Sequence, residues 1–158
     1  DNSDSASSLD SSTATALKNT TISLATTQAN NLMKNLYTWS SGADYTKNKA
    51  TIIKSYVTSP DVISSAMPDD KDNSGNSQIT ALGLHSQLKS VHVYSNDINT
   101  SDIYIIATAT ATKNQDANDT NTPLSNNYVY KAHFDNTSQK FSSLTYIGKE
   151  SLNNSTGN

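Results

Sequence analysis

The chain contains neither cysteine nor arginine, and its 14 acidic residues include only one glutamate, Glu150. Without cysteine there is no disulfide framework, no thiolate metal site and no catalytic cysteine. The basic residues are 11 lysines scattered along the chain, whereas binding to nucleic-acid phosphates requires clustered Lys or Arg. We therefore expect no nucleic-acid partner for this chain, whose formal net charge is -3.

Long apolar runs and glycine-rich motifs are also missing. No stretch approaches the ~20 consecutive apolar residues of a transmembrane helix, and the start lacks the basic and then apolar layout of a signal peptide. The five glycines are isolated, and no phosphate-binding loop, nucleophile elbow or HExxH pattern occurs. The sequence therefore disfavours nucleotide binding and serine hydrolysis, and it predicts no cofactor.

Short polar side chains dominate what is present. Ser, Thr and Asn together supply 64 of the 158 residues, a composition that indicates a surface-exposed bacterial protein. The length suits one hydrophobic core, so we predict a Ser/Asp-rich linker over 1–13, a single domain over 14–149 and a polar tail over 150–158. Because the chain opens without Met, we expect residue 1 to follow a removed signal, lipid anchor or transmembrane helix; a processed or recombinant start is the alternative.

Helical periodicity comes first within the domain. An apolar stripe predicts a long helix over 14–40. The stripe consists of Ile22, Ala25, Ala29, Leu32, Met33 and Leu36. Gly42 is predicted to stop this helix, and shorter helices are predicted over 45–58 and 60–66. Trp39 is predicted to plug the core at the end of the long helix, with a ligand-stacking ring as the alternative. The Asp-rich loop that follows is interpreted as a solvated turn, since it lacks the ligand spacing of an EF-hand calcium loop.

Beyond residue 78 the period changes to two, which predicts β-strands. The segment SDIYIIATATATKNQ alternates strictly and predicts a strand over 102–113, with its Ile/Ala face beneath the long helix and its Tyr/Thr face outward. Further strands are predicted near 79–84 and over 88–95, 128–134 and 140–148. Helices followed by antiparallel strands predict an α+β fold with the helices on one face of the sheet.

The final pair of strands carries a resemblance to a known fold. The segment YVYKAHFDNTSQKFSSLTYIG has an alternating aromatic and polar strand, a turn between Asp135 and Lys140, and a last strand that closes with Ile147 next to Gly148. Together with a long N-terminal helix, two shorter helices and a curved antiparallel sheet of about four strands, this layout resembles the nuclear transport factor two-like cone fold. The runner-up is a pilin-like domain, whose core helix is not followed by two more helices before the sheet.

Within that fold, the chain resembles the extracellular domains of the type IV secretion inner-membrane assembly factor family in Gram-positive conjugation systems. The resemblance implies a non-enzymatic scaffold at the outer face of the cell membrane or in the cell wall, held by a membrane anchor. Other secretion-channel proteins would be its partners, and self-association stays open. The alternative is a small-ligand binder or isomerase-like enzyme that uses the interior of the same cone.

The residues themselves predict no catalytic and no metal-binding set. His92 and His133 are interpreted as ordinary strand-face side chains, and nothing in the spacing of these two and His85 requires a zinc site. Tyrosine suits wet interfaces because its ring is apolar and its tip is polar. We therefore predict a partner interface on the sheet, with ordinary sheet packing as the alternative for each tyrosine. Its residues are Tyr104, Thr108, Thr110, Tyr128 and Tyr130.

Overall fold

The computed structural model describes residues 2–95, 101–113 and 124–151. Within these residues, the helical segments come first: α1 (Asn2–Tyr37), α2 (Gly42–Ser55), a short 3₁₀ helix (Pro60–Ile63) and α3 (Gln78–Leu82). The strands follow: β1 (Leu84–Ser95), β2 (Asp102–Lys113), β3 (Leu124–Asp135) and β4 (Lys140–Ser151). They form one curved antiparallel sheet in the order β1-β2-β3-β4. The predicted α+β fold with a four-stranded antiparallel sheet is therefore confirmed.

The buried stripe predicted on the long helix is confirmed. Its members from Ala25 to Leu36 are buried, and they belong to the same core cluster as the Ile/Ala face of β2. Small side chains on both elements, such as Ala29 and Ala107, allow the helix to lie close to the sheet. Helix α1 begins at Asn2, inside the segment predicted as a linker, and the division into linker, domain and tail stays a prediction.

The prediction that Gly42 stops the first helix is wrong, because α1 ends at Tyr37 and Gly42 is the first residue of α2. The Ser41 hydroxyl caps α2 by accepting a hydrogen bond of 3.1 Å from the amide of Asp44, and a serine with an acidic residue three positions later is a typical helix start. Position 42 requires glycine because of its close neighbours, not because a helix ends there. A Cβ there would overlap Ser77 Oγ and would lie 2.7 Å from a carboxylate oxygen of Asp70.

The strand predicted near 79–84 is also wrong, since these residues form α3 and the start of β1. Ser77 caps the helix, and the Asp70 carboxylate accepts a hydrogen bond of 2.9 Å from the Ile79 amide. Gly83 ends the helix in the left-handed conformation, at φ 63°. The Asp70 carboxylate, which lies outside residues 79–84, therefore supplies a cap that favours a helix over a strand here. The helix predicted over 60–66 is a 3₁₀ turn and ends earlier, at Ile63.

Each edge strand of the sheet is paired at one point with a segment that connects two other elements. On β1, the Trp39 amide donates to the Ser86 carbonyl at 3.0 Å, and the Ser86 amide donates to the Trp39 carbonyl at 2.8 Å. On β4, the Phe141 amide donates to the Tyr56 carbonyl at 2.8 Å, and the Phe141 carbonyl accepts from the Thr58 amide at 2.9 Å. The Trp39 ring packs against the core, and its Nε1 donates to the Leu36 carbonyl at 2.9 Å. Its predicted place as a core plug at the helix end is confirmed.

We expect Gly42→Ala to destabilise the fold by ~1–3 kcal/mol, because the added methyl group has no space beside Ser77 and Asp70. Gly148→Ala is the matched control, since no atom lies within 4 Å of a Cβ at that position. The control should be as stable as the wild type or slightly more stable, because alanine restricts the unfolded chain more than glycine does. Urea denaturation of the three proteins measures the difference. An unchanged midpoint for Gly42→Ala would contradict the close approach of α2 to Ser77.

Candidate functional site

Within the residues that the structure describes, the helices pack against one face of the sheet. We call this face, which carries Ile103, Ile105 and Ala107 of β2, the inner face. The outer face carries the alternate residues of each strand, and on β2 these run from Tyr104 to Thr112. They are exposed or partly exposed along the whole strand. In the described part of the chain, no helix covers these outer-face side chains.

A patch of aromatic and aliphatic side chains lies on the outer face, toward the end of the sheet where β1 ends and β2 begins. Tyr94 of β1 and Tyr104 of β2 stand directly opposite each other in the ladder, and they are 54% and 43% exposed. The next row places Ile106 beside Val129 of β3, and both are partly exposed. Tyr94, Tyr104, Ile106 and Val129 form what we call the tyrosine patch.

The five residues predicted as an interface do not lie on one surface. Tyr104, Thr108 and Thr110 lie on the outer face, and Thr108 donates a hydrogen bond of 2.6 Å to the side chain of Asn127 on the next strand. Tyr128 and Tyr130 lie on the inner face, because the register pairs them with Ala107 and Ile105. Tyr94 was not predicted as an interface residue, since its place beside Tyr104 depends on a register that the sequence does not show.

The inner face instead holds a cluster of tyrosines, which we call the inner tyrosine cluster: Tyr37, Tyr128, Tyr130 and Tyr146. The hydroxyls of Tyr37 and Tyr130 are hydrogen-bonded at 2.5 Å. The Tyr37 ring stacks on Tyr128 with centroids 4.7 Å apart, and the rings of Tyr130 and Tyr146 lie 5.5 Å apart. Burial raises the pKa of Tyr37, and burial also raises the pKa of Tyr130, to about 12. Both hydroxyls therefore stay protonated at neutral pH.

A groove of about 450 Å³ lies where the α1–α2 connection meets β1, and we call it the edge groove. The pairing of Trp39 with Ser86 forms it, because this pairing holds the connection beside the outer-face side chains of β1 and β2. Trp39 belongs to its lining, although the ring itself packs against the core. The polar lining residues are Thr38, Ser40, Asp44, His85, Ser86, Gln87, Lys89, Thr110 and Thr112.

The polar groups of the edge groove are held by hydrogen bonds. One oxygen of the Asp44 carboxylate accepts from the Ser40 hydroxyl at 2.9 Å and from the Ser40 amide at 3.1 Å. These bonds hold the pKa of the Asp44 carboxyl below its usual value, so the group is a fixed hydrogen-bond acceptor at neutral pH. Across the groove, the Lys89 ammonium donates to the side-chain oxygen of Gln87 at 3.2 Å. The sequence does not predict this site, because residues from three separate segments meet in it.

The three histidines lie apart. His133 Nδ1 and Asp102 Oδ1 are 2.7 Å apart on the outer face, with the two side chains 44% and 38% exposed. His92 is exposed on the same face, and His85 lines the edge groove. In the described part of the chain, no group of three or more His, Asp or Glu side chains could hold a metal ion. The pairing of His133 with an aspartate was not expected from the sequence, because the two strand ends meet only through the β2–β3 register.

No protein-family model, curated protein or solved structure matches the chain. Among the residues that the structure describes, no helix is both long enough and apolar enough to cross a membrane.

The inner tyrosine cluster predicts a specific dependence of stability on pH. Unfolded tyrosines ionise near pH 10, whereas the folded protein keeps Tyr130 protonated up to about pH 12. The free energy of unfolding should therefore fall as the pH rises from about 10 to about 12, since only the unfolded chain loses these protons. Tyr37→Phe should make this fall shallower, and it should cost ~1–3 kcal/mol at pH 8 because the buried Tyr130 hydroxyl loses its partner.

Urea denaturation at pH 8 and at higher pH tests both effects. The double variant with Tyr37→Phe and Tyr130→Phe should cost less than the sum of the two single variants at pH 8, because it leaves no buried hydroxyl unpaired. Additive costs, or an unchanged pH dependence in Tyr37→Phe, would contradict the coupling of the two hydroxyls.

Proposed function

We propose that the chain is a non-enzymatic protein-interaction module, and that a partner protein binds the outer face of its sheet. The observation that carries this proposal is the tyrosine patch, an aromatic and aliphatic surface on the face that the helices leave open. Aromatic residues are enriched in the buried centres of protein interfaces, and charged residues are depleted there. The outer-face side chains of β2 from Tyr104 to Thr112 carry no charge, which suits such a centre.

We further propose that the fold is a nuclear transport factor two-like cone, in a scaffold of a Gram-positive conjugative type IV secretion channel at the outer face of the cell membrane. The long helix that packs on the sheet and the hairpin of β3 and β4 support the resemblance to the cone fold. The abundance of Ser, Thr and Asn supports an extracellular location. In this proposal the other channel proteins are the partners, and the membrane is contacted only through an anchor. The assignment to a secretion channel depends on the resemblance, whereas the proposed interface at the tyrosine patch does not.

The two alternatives fit the described contacts less well. A ligand-binding or isomerase-like cone needs an interior pocket with a convergent acid and base, but the interior contains the buried and mutually bonded hydroxyls of Tyr37 and Tyr130. A pilin-like domain would pass from its long helix directly into the sheet, whereas α2, a 3₁₀ helix and α3 intervene here.

Charge placed in the tyrosine patch should abolish partner binding without unfolding the domain. Lys131 lies opposite Tyr104 in the ladder, so a lysine at position 104 would put like charges together, whereas glutamate forms a favourable cross-strand pair. We therefore expect Tyr104→Glu to weaken binding to the other channel proteins at least ~10-fold, as loss of a central interface residue does. Pull-down of those proteins and the frequency of conjugative transfer are the measurements, with thermal melting as the check on folding.

Thr145→Glu is the matched control, because Thr145 lies opposite Lys131 from the other side, in the same row but outside the patch. It should bind and transfer as the wild type does. Normal binding by a folded Tyr104→Glu protein would contradict the proposed interface. Reduced binding with undiminished transfer would keep the interface and reject the role in conjugation.

A further inference from the structure

The edge groove carries two opposite charges in its lining. Asp44, from the first turn of α2, supplies a carboxylate, and Lys89 of β1 supplies an ammonium group. We propose that this groove binds a short peptide by its two free ends, with the peptide ammonium at Asp44 and the peptide carboxylate at Lys89. The proposal is independent of the function proposed for the tyrosine patch, because it concerns another ligand and rests on different residues.

The polar side chains of the groove lie on the outer side of the sheet. Gln87 of β1 pairs in the ladder with Thr110 of β2, and both point outward. The Trp39 ring packs on the core side, so the alternation of an extended segment points the next residue, Ser40, outward. The bonds from Ser40 hold the Asp44 carboxylate on that same side. A ligand can therefore contact all these polar groups together, without touching the Trp39 ring.

Each of the two charges is held by a polar neighbour. The Asp44 carboxylate accepts from the Ser40 hydroxyl and amide, and the Lys89 ammonium donates to the side-chain oxygen of Gln87 at 3.2 Å. In the described part of the chain, Asp44 and Lys89 form no ion pair with each other. The bonds from Ser40, and to a smaller degree the charge of Lys47, hold the pKa of the Asp44 carboxyl below its usual value. A carboxylate accepts several hydrogen bonds and an ammonium donates several, so both groups keep capacity for a ligand.

The spacing of the two charges indicates the length of the ligand. Ser40, which holds Asp44, lies level with His85 in the antiparallel pairing of the connection with β1. The Lys89 ammonium is held at Gln87, which lies further along β1 by a distance of roughly 7 Å, since each strand residue adds ~3.3 Å. The two charges of a single amino acid are attached to one carbon and lie closer than this. A dipeptide separates them by about 3.5 Å more, so it can reach both groups.

Other ligand classes fit the same groups less well. A phosphate needs convergent positive charge, but Lys89 shares the groove with the ionised Asp44 carboxylate. An apolar ligand would bury the hydroxyls of Thr110 and Thr112 without giving them partners, which is costly. A peptide group both donates and accepts hydrogen bonds, as these hydroxyls do. The volume of about 450 Å³ lies in the usual range of small-molecule sites, ~300–1,000 Å³.

A series of blocked ligands tests the proposal. The full chain is titrated with dialanine, with its N-acetylated form, with its C-terminal amide and with free alanine, while backbone amide chemical shifts are recorded by nuclear magnetic resonance. We expect saturable binding of dialanine with a Kd below about 10 mM. The other three ligands should bind at least ~5-fold more weakly, because each lacks one charge or the spacing between the charges. Absence of saturable dialanine binding, or equal affinity for any of the other three, overturns the proposal.

Two variants assign the ends of the peptide to the two charges. Asp44→Asn removes the negative charge but keeps an oxygen that can accept from Ser40, and Lys89→Gln removes the positive charge. Each should weaken dialanine binding ~5-fold or more, and the Asp44→Asn protein should bind dialanine and its N-acetylated form equally. Thermal melting checks that each variant is folded.

Asp61→Asn is the matched control, because it removes the same charge from the 3₁₀ helix, which contacts β4 at the other edge of the sheet. It should bind dialanine as the wild type does. Wild-type affinity in a folded Asp44→Asn or Lys89→Gln protein overturns the proposed site. The same conclusion follows if the Asp44→Asn protein still prefers dialanine to its N-acetylated form, since the peptide ammonium would then be bound elsewhere.

Discussion

The backbone pairing between Trp39 and Ser86 determines where the long helix meets the sheet. It lies directly after the last turn of α1, so it places Tyr37 on the inner face, where its hydroxyl reaches Tyr130. It also places the α1–α2 connection along β1, where the edge groove forms. The inner tyrosine cluster and the edge groove are therefore two results of one junction, and a shift of α1 along the sheet would disrupt both.

A second constraint, the small-residue face of β2, separates the two sides of the sheet. Ala107 and Ala109 are buried together with Ala25 and Ala29 of α1, so helix and sheet approach closely there, and larger residues further along the face fill the rest of the core. In the described ranges, the helices cover this side of the sheet. The outer face therefore has to be stable as an exposed surface, and its cross-strand contacts, such as the bond from Thr108 to Asn127, provide local support without a covering layer.

The sequence predicted those features that depend on local periodicity. The strand over 102–113 and the buried stripe of α1 were both correct, because each is a repeat along one element. Features that depend on distant residues were missed. The residues near 79 form a helix because Asp70 caps it. Position 42 requires glycine because Ser77 lies so close to it, and the edge groove forms only where three segments of the chain meet. The outward position of Tyr104 could be predicted from alternation, whereas its neighbour Tyr94 required the register.

The edges of the sheet bear on how a partner approaches, because an unprotected edge strand invites another strand to pair with it. The β1 edge is paired at Ser86, and the ladder with β2 skips Lys89, which leaves a charged residue in an irregular position. The β4 edge is paired at Phe141, and its ladder with β3 skips Ser142 and Ile147. Such irregularities twist an edge and interrupt its hydrogen-bonding row, which hinders strand addition. Within the tyrosine patch, Tyr94, Tyr104 and Ile106 lie on regularly paired parts of β1 and β2, and only Val129 borders the irregular pairing of β3 with β4. The face of the sheet therefore offers a partner a more continuous surface than either edge.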